Sequence, residues 1–298
     1  MTLLVFLLER FIPGGYARAA IGARATPLEI HQFNVTNGLY LPLYDQYYQF
    51  LKGIITSFNL GYSYYYNQGV TALITERIPK TLVLVGISTV FALIVAVPLG
   101  ILQVVRRNKP IDYAFTGASF VFYSMPSFLL GQLLILYFAI DLHWFSTEAP
   151  QGQTVGAILG DPRGLVLPII TLSAITVAAF SRYMRSSMME AMTQDYIRTA
   201  RAKGASSARV LFRHALRNAL IPIITLIGLS LPAIIGGALI TETVFNFPGM
   251  GLLTTAAALN TDVPTLLGTT FVATIATVAG SLIADILYAI VDPRVRYT

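Results

Sequence analysis

Residues 195–222 read DYIRTARAKGASSARVLFRHALRNALIP. The stretch holds Arg198, Arg201, Lys203, Arg209, Arg213 and Arg217, six of the chain's 20 basic residues, and one acid, Asp195. The sequence around it carries long runs with no Asp, Glu, Lys or Arg, Leu165 to Ser181 ahead of it and Asn218 to Thr241 at its end. A basic island between two apolar runs is the layout of a loop kept on the cytoplasmic side of a membrane. The reading of this stretch therefore sets both the fold class and its orientation.

The rest of the chain agrees with that class. Only 11% of its residues are charged and 55% are hydrophobic, whereas a soluble domain carries about 25% charged residues. Uncharged runs also cover Thr81 to Val105, Tyr113 to Ile140 and Val263 to Ala284. At about 1.5 Å rise per residue each run can cross a hydrocarbon core of about 30 Å, Leu165 to Ser181 only just. Lipid offers the backbone no hydrogen bonds and the runs show no strand-like alternation, so they predict helices. At the front, MTLLVFLLERFIP reaches about half-way across. It lacks the basic start of a signal peptide, and YARAA is a poor cleavage site. The alternatives are a short anchor and the rear half of a spanning helix. The expectation is an all-α membrane protein with about six transmembrane helices, the first short or incomplete. Residues 1–12 form that partial helix, 13–79 an external segment with an amphipathic, Tyr-rich helix, and 80–298 the transmembrane core with a cytoplasmic loop at 182–217.

Charge placement orients the chain. Thirteen of the 20 basic residues lie in three segments that fall on one side: Arg106, Arg107 and Lys109; Arg182, Arg185 and the six above; and Arg294 with Arg296. The other side has Arg163 in one short loop and no basic residue from Glu242 to Asp262. Both termini are thereby placed in the cytoplasm. The net charge of +6 needs no nucleic acid as partner. Topology alone asks for a basic loop, and anionic membrane lipid is one ligand it could take.

The pattern within the loop adds to this. Tyr196, Ala200 and Lys203 recur at helical spacing, Gly204 is a natural helix stop, and Ser206 or Ser207 can cap a second helix. Arg209, Arg213 and Arg217 then follow at i, i+4 and i+8. A short helix presented to the cytosol between two spans can be gripped by another protein.

The stretch closely resembles the cytoplasmic EAA loop of ABC-importer permeases, in the form found in the dipeptide, oligopeptide and nickel subfamily. Ala200 and Gly204 stand at the alanine and glycine of the general pattern, while Arg198 and Thr199 replace its Glu and Ala. The segments VFLLERFIPG, ERIPKTLVLVGIS, YSMPSFLLGQLL, SRYMRSSMMEAMTQDY, TETVFNFPGMGLL and ADILYAIVDPRVRY resemble the same family in order along the chain. The resemblance implies a type I ABC importer-like permease fold in a bacterial or archaeal cell membrane. It implies a chain that is not itself an enzyme and carries no cofactor, with ATP and Mg on partner subunits. The sequence has no GxxxxGK[ST] phosphate loop. Asp195, Tyr196, Arg198, Thr199, Ala200, Arg201, Lys203 and Gly204 are implied to form a coupling helix docked on an ATPase. In it Tyr196, Ala200 and Gly204 would pack closely, and Arg198, Arg201 and Lys203 would pair with charge. The implied partners are two ATP-binding subunits, a second homologous permease forming a heterodimer, and an external substrate-binding protein. The expected solute is a di- or oligopeptide, with nickel or another small solute of the same family as the alternative. A stand-alone secondary transporter is the other class; it would show inverted repeats and several charges at the midplane, and none stands out.

Some residues keep two readings. Ser124, Met125 and Pro126 could line the pathway or gate. Glu242 could meet a peptide's amino terminus or mark the water boundary. The tyrosines between Leu39 and Gln68 suit an interfacial aromatic belt, or a platform for the binding protein. Asp285 is an intramembrane acid, placed near enough to Asp292 to have an interfacial partner. His31, His143 and His214 show no metal-ligand spacing, and there is no cysteine.

Overall fold

The computed structural model describes residues 2–8, 15–22, 24–236 and 238–291. Short helices α1 (Thr2–Leu8), α2 (Gly15–Ile21), α3 (Pro27–Thr36) and α4 (Leu43–Ser57) lead to a two-stranded hairpin, β1 (Tyr62–Ser63) and β2 (Gln68–Gly69). Then come α5 (Val70–Val105), α6 (Pro110–Ser124), α7 (Ser127–Leu134) with π-helical turns over Ile135–Asp141, α8 (Val155–Leu159) and α9 (Pro162–Thr193). The remaining helices are α10 (Asp195–Ala202), α11 (Ser207–Arg209) with π-helical turns over Val210–Ala215, α12 (Leu216–Gly236), α13 (Leu239–Val244), α14 (Met250–Leu259) and α15 (Val263–Val291).

Four helical stretches among the described residues are long and apolar enough to cross a membrane: Val70–Val105, Pro162–Thr193, Ser207–Ile227 and Val263–Ile283. Pro110–Ser124 with Ser127–Asp141 gives a fifth if taken as one span, bent by 105°. The run from Tyr113 to Ile140 is therefore not one straight helix. Proline disfavours the helical conformation in the residue before it, and Met125 is extended there (φ −79°, ψ 126°).

Other expected boundaries also move. Helix α5 starts at Val70, ahead of the core boundary placed at residue 80. Helix α9 continues to Thr193, so Arg182 and Arg185 stand on a spanning helix and not in the loop. The run that ends at Thr241 is not one helix to its end: Ala238 is non-helical (φ −90°, ψ 57°), and Thr241 and Glu242 belong to the separate helix α13. Residues 1 and 9–12 of the proposed first helix, and Asp292, Arg294 and Arg296, lie outside the described residues, as does the side chain of Asp285.

The frame is the pair α5 and α9. Leu84, Ser88, Ala92, Ala96 and Gly100 are all buried and recur every fourth residue, which keeps one stripe of mostly small side chains against the neighbouring helix. A Cβ on Gly100 would lie 2.6 Å from Met184 Cβ, so only glycine lets α9 come this close. The Ser173 hydroxyl donates to the Ser88 carbonyl across the same interface at 2.9 Å. Helix α12 packs along α15 and against α9. At the basic end one core joins Ile101, Met184, Met188, Ala215 and Ala219. At the opposite end Leu60, Val70, Ile74, Met250 and Leu253 form another.

Candidate functional site

Helix α10 is the candidate coupling element, and its geometry follows from one apolar face. Gln194 takes an extended conformation (φ −71°, ψ 152°), which ends α9 and redirects the chain. Ile197 is wholly buried and Ala200, three residues on, is 8% exposed. Both enter the core formed by Ile101 of α5, Met184, Met188 and Ala191 of α9, and Ala219 and Ile223 of α12. The short helix is thus seated on the end of α9 and on the Val210–Ala215 turns that lead into α12, in a core that also takes in Ile101 of α5.

Its other face is open. Asp195, Tyr196, Arg198, Thr199, Arg201, Lys203 and Gly204 are exposed. Ala200 parts from them, since its side chain packs into this chain's own core and not outward. The Asp195–Arg198 pair, 3.5 Å apart, is solvent-exposed, so it adds little stability. Gly204 has φ +78°, a left-handed turn in which glycine escapes the cost other residues meet, and a Cβ there would touch nothing within 4 Å. Its N–H donates to Arg201 at 2.9 Å, and the Ala205 N–H donates to Ala200 at 3.1 Å, closing the helix. Ser206, not Ser207, caps the next helix by accepting from the Arg209 N–H. Phe212 is 58% exposed beside the exposed Arg209, Arg213 and Arg217. Sequence reasoning passed over it, although a lone aromatic between basic residues was the available signal.

Behind this face, α6 is tied to α9. Asp112 accepts from both Arg185 Nε and a terminal guanidinium nitrogen, each at 2.9 Å, and is 2% exposed. Such a fork-to-carboxylate pair is directional as well as strong. The Asn108 N–H donates to the same carboxylate at 3.1 Å. About one turn earlier on α9, the Arg182 guanidinium lies over the Phe120 ring at 4.8 Å and the Tyr123 ring at 5.7 Å. Neither arginine serves only as a topology signal.

At the opposite end Glu242 is wholly buried. Its carboxylate accepts from the Thr81 hydroxyl at 2.7 Å, the Gly251 N–H at 2.6 Å and the Leu252 N–H at 3.1 Å. Thr81 in turn accepts from the Met250 N–H at 2.8 Å. A buried acid and a hydroxyl therefore cap the first turn of α14, where backbone N–H groups lack helical partners. Gly249 and Gly251 make this possible, because a Cβ on either would crowd the Glu242 carboxylate, and one on Gly251 would also lie 2.5 Å from Leu239 Cα. Burial pushes the Glu242 carboxyl above its usual range, against the three donors, which pull it down. In this arrangement the carboxylate faces neither water nor an open channel.

Ser124, Met125 and Pro126 sit at the break between α6 and α7, each side chain at least partly exposed. The segment ahead of α5 is joined to the start of α15 through a buried hydrogen bond of 2.5 Å from the Ser63 hydroxyl to Asp262, the residue before that helix. Among the described residues no three His, Cys, Asp or Glu side chains come together as a metal site.

Residues 90–297 match the family described as binding-protein-dependent transport system inner membrane component, and residues 1–85 match its N-terminal companion. Among similar proteins, the oligopeptide transport system permease protein AppB of Bacillus subtilis (strain 168) is 39% identical over 300 residues, which is 100% of this chain and 94% of the relative. The di/tripeptide transport system permease protein DppB of Pseudomonas aeruginosa (strain UCBPP-PA14) is 36% identical, with 100% and 94% covered. The oligopeptide transport system permease protein OppB of Haemophilus influenzae (strain ATCC 51907 / DSM 11121 / KW20 / Rd) is 37% identical, with 98% and 92% covered. Among solved structures, a chain of the inward-facing MetNI methionine ABC transporter superposes with a TM-score of 0.54 at 18% identity, covering 72% of this chain and 96% of that one. A chain of an amino acid ABC transporter solved with histidines gives 0.53 at 15%, covering 76% and 95%.

Proposed function

Because this chain belongs to the family of binding-protein-dependent transport system inner membrane components, we propose that it forms half of the pathway through which an ATP-driven importer takes up di- or oligopeptides. Peptide is favoured over nickel because the relatives named above are described as peptide permeases. ATP and Mg bind on two partner ATPase subunits, a second homologous permease completes a heterodimer, and an external binding protein delivers the solute. Both termini face the cytoplasm, as the placement of the basic residues supports.

One observation carries the coupling role. Helix α10 is rooted by Ile197 and Ala200 on α9 and the turns leading into α12, in a core shared with α5 and α12, while it offers a basic and aromatic face outward. Force applied to that face reaches three long helices through a close-packed core, which deforms little. Tyr196, Arg198, Thr199, Arg201, Lys203 and Gly204 make the contact with the ATPase, Asp195 flanks it, and Ala200 holds the helix to its own subunit. Ser124, Met125 and Pro126, at the bend between α6 and α7, line the pathway.

The test is purification from the native membrane in mild detergent, followed by identification of the attached subunits. Two ATPases and a second permease are expected, with peptide uptake into liposomes that requires ATP inside. A chain that purifies alone and moves solute without ATP overturns the reading. Within the assembled complex, Arg201→Glu with Lys203→Glu is expected to cut ATPase co-purification by an order of magnitude, by placing like charges across the docking face.

A further inference from the structure

The outer helix α4 has more apolar surface than its own fold uses. On its inner side Ile54 is buried, and Tyr47 meets Phe6 with ring centroids 5.2 Å apart. Tyr44, Tyr48, Leu51 and Ile55 recur at i, i+4, i+7 and i+11, a second stripe on one side of the helix. Tyr44 is 73% exposed, Tyr48 62% and Ile55 82%. Gln49, Lys52 and Thr56 occupy the polar arc on the far side of that stripe and are exposed.

We propose that α4 lies in the plane of the outer membrane–water interface, with Tyr44, Tyr48 and Ile55 embedded at the boundary between lipid headgroups and acyl chains. The occupant follows from what the stripe adjoins. Tyr44, Tyr48 and Leu51 share one apolar groove of about 380 Å³ with Leu3 and Leu7 of α1. Leu3, Leu4 and Leu7 are themselves 41–56% exposed on a helix packed against the spanning helix α15. Whatever covers those leucines continues over Tyr44 and Tyr48, and for leucines on the flank of a spanning bundle that is lipid. The residue types suit the depth. Tyrosine rings sit at headgroup level with the hydroxyl toward water, a helix with such a stripe lies flat in the interface, and Lys52 can rest its stem on the apolar edge while its ammonium reaches phosphate. The Ser63–Asp262 bond would then hold the outer segment to the bundle while α4 holds it to the bilayer. The inference does not depend on the solute.

The chain has no cysteine, so once the partner subunits' cysteines are replaced, single nitroxide labels report on it alone. In the assembled transporter in lipid nanodiscs, Tyr44→Cys, Tyr48→Cys, Ile55→Cys, Gln49→Cys, Lys52→Cys and Thr56→Cys would be labelled in turn. Collision rates with oxygen, which enters lipid, and with a water-soluble nickel chelate would be compared, with gel-filtration elution as the check on assembly. Labels at 44, 48 and 55 are expected to give an oxygen-to-nickel ratio several-fold above those at 49, 52 and 56. Equal nickel access at all six positions would overturn the proposal, because the face would be in water. So would exclusion of both reagents at 44, 48 and 55, whether constant or only with the binding protein added, because a protein surface would then cover the stripe.

Discussion

Glu242 shows how much a single side chain can hold at the end of the bundle opposite α10. Removing it with Glu242→Ala strands the Gly251 and Leu252 N–H groups and the Thr81 hydroxyl in a buried space. The expected loss is about 2–4 kcal/mol, read as a lower thermal midpoint of the purified complex. Glu242→Gln keeps an acceptor and should lose less than half of that. Gly251→Ala should cost about 1–3 kcal/mol through the clash with Leu239. The sequence offered the acid and both glycines of TETVFNFPGMG within a segment that resembles the family, but their purpose was not legible there. The third participant, Thr81, stands 161 residues away, and no local pattern joins the two. The same holds for Asp112 and Arg185, 73 residues apart. Arg185→Met, which leaves a buried carboxylate unpaired, is expected to destabilise by about 3 kcal/mol, the low end for breaking a buried pair because Arg185 is 30% exposed. Addition of Asp112→Asn should recover part of the loss in a double-mutant cycle. Ala200 was legible in principle, because Ile197 lies one helical turn before it and together they define an inward face.

At the level of elements, the positions of the apolar runs followed from charge alone, and the ends of the helices did not. Helix α9 runs past Arg182 and Arg185 because each has a partner on α6, so a charge no longer marks the end of a span. Proline is equally ambiguous. Pro79 and Pro98 lie inside the unbroken α5 and Pro168 inside α9, while Pro126 stands at a 105° bend. Helix α5 is held against α9 from Leu84 to Gly100, and that packing carries Pro98 through. Gly100→Leu should therefore separate the two helices and abolish assembly, and Gly100→Ala should cost about 1–3 kcal/mol, both measurable as the yield of folded complex. For α10 the expected outcome is more selective. Ile197→Asp places a charge in the core shared by α5, α9 and α12, which is costly unless the helix detaches. ATP hydrolysis by the complex should then lose its stimulation by solute-loaded binding protein, while the Glu242 cap on α14 keeps its stability.

For the molecule as a whole, the end of the bundle that carries α10 and the end that carries Glu242 are joined by the long helices between them. The α5–α9 pair is fastened at two heights, by Gly100 against Met184 and by the bond from Ser173 to Ser88. Two fastenings along a line remove scissoring, so the pair can rock but cannot splay. At about 1.5 Å per residue α5 is a strut of about 54 Å. A tilt about its middle moves the two ends by similar distances in opposite directions, with no amplification and no slack. A covalent cross-link between α5 and α9 near Ser88 should accordingly leave turnover intact, whereas a tether from α10 to a fixed neighbour would stop the rocking at its source.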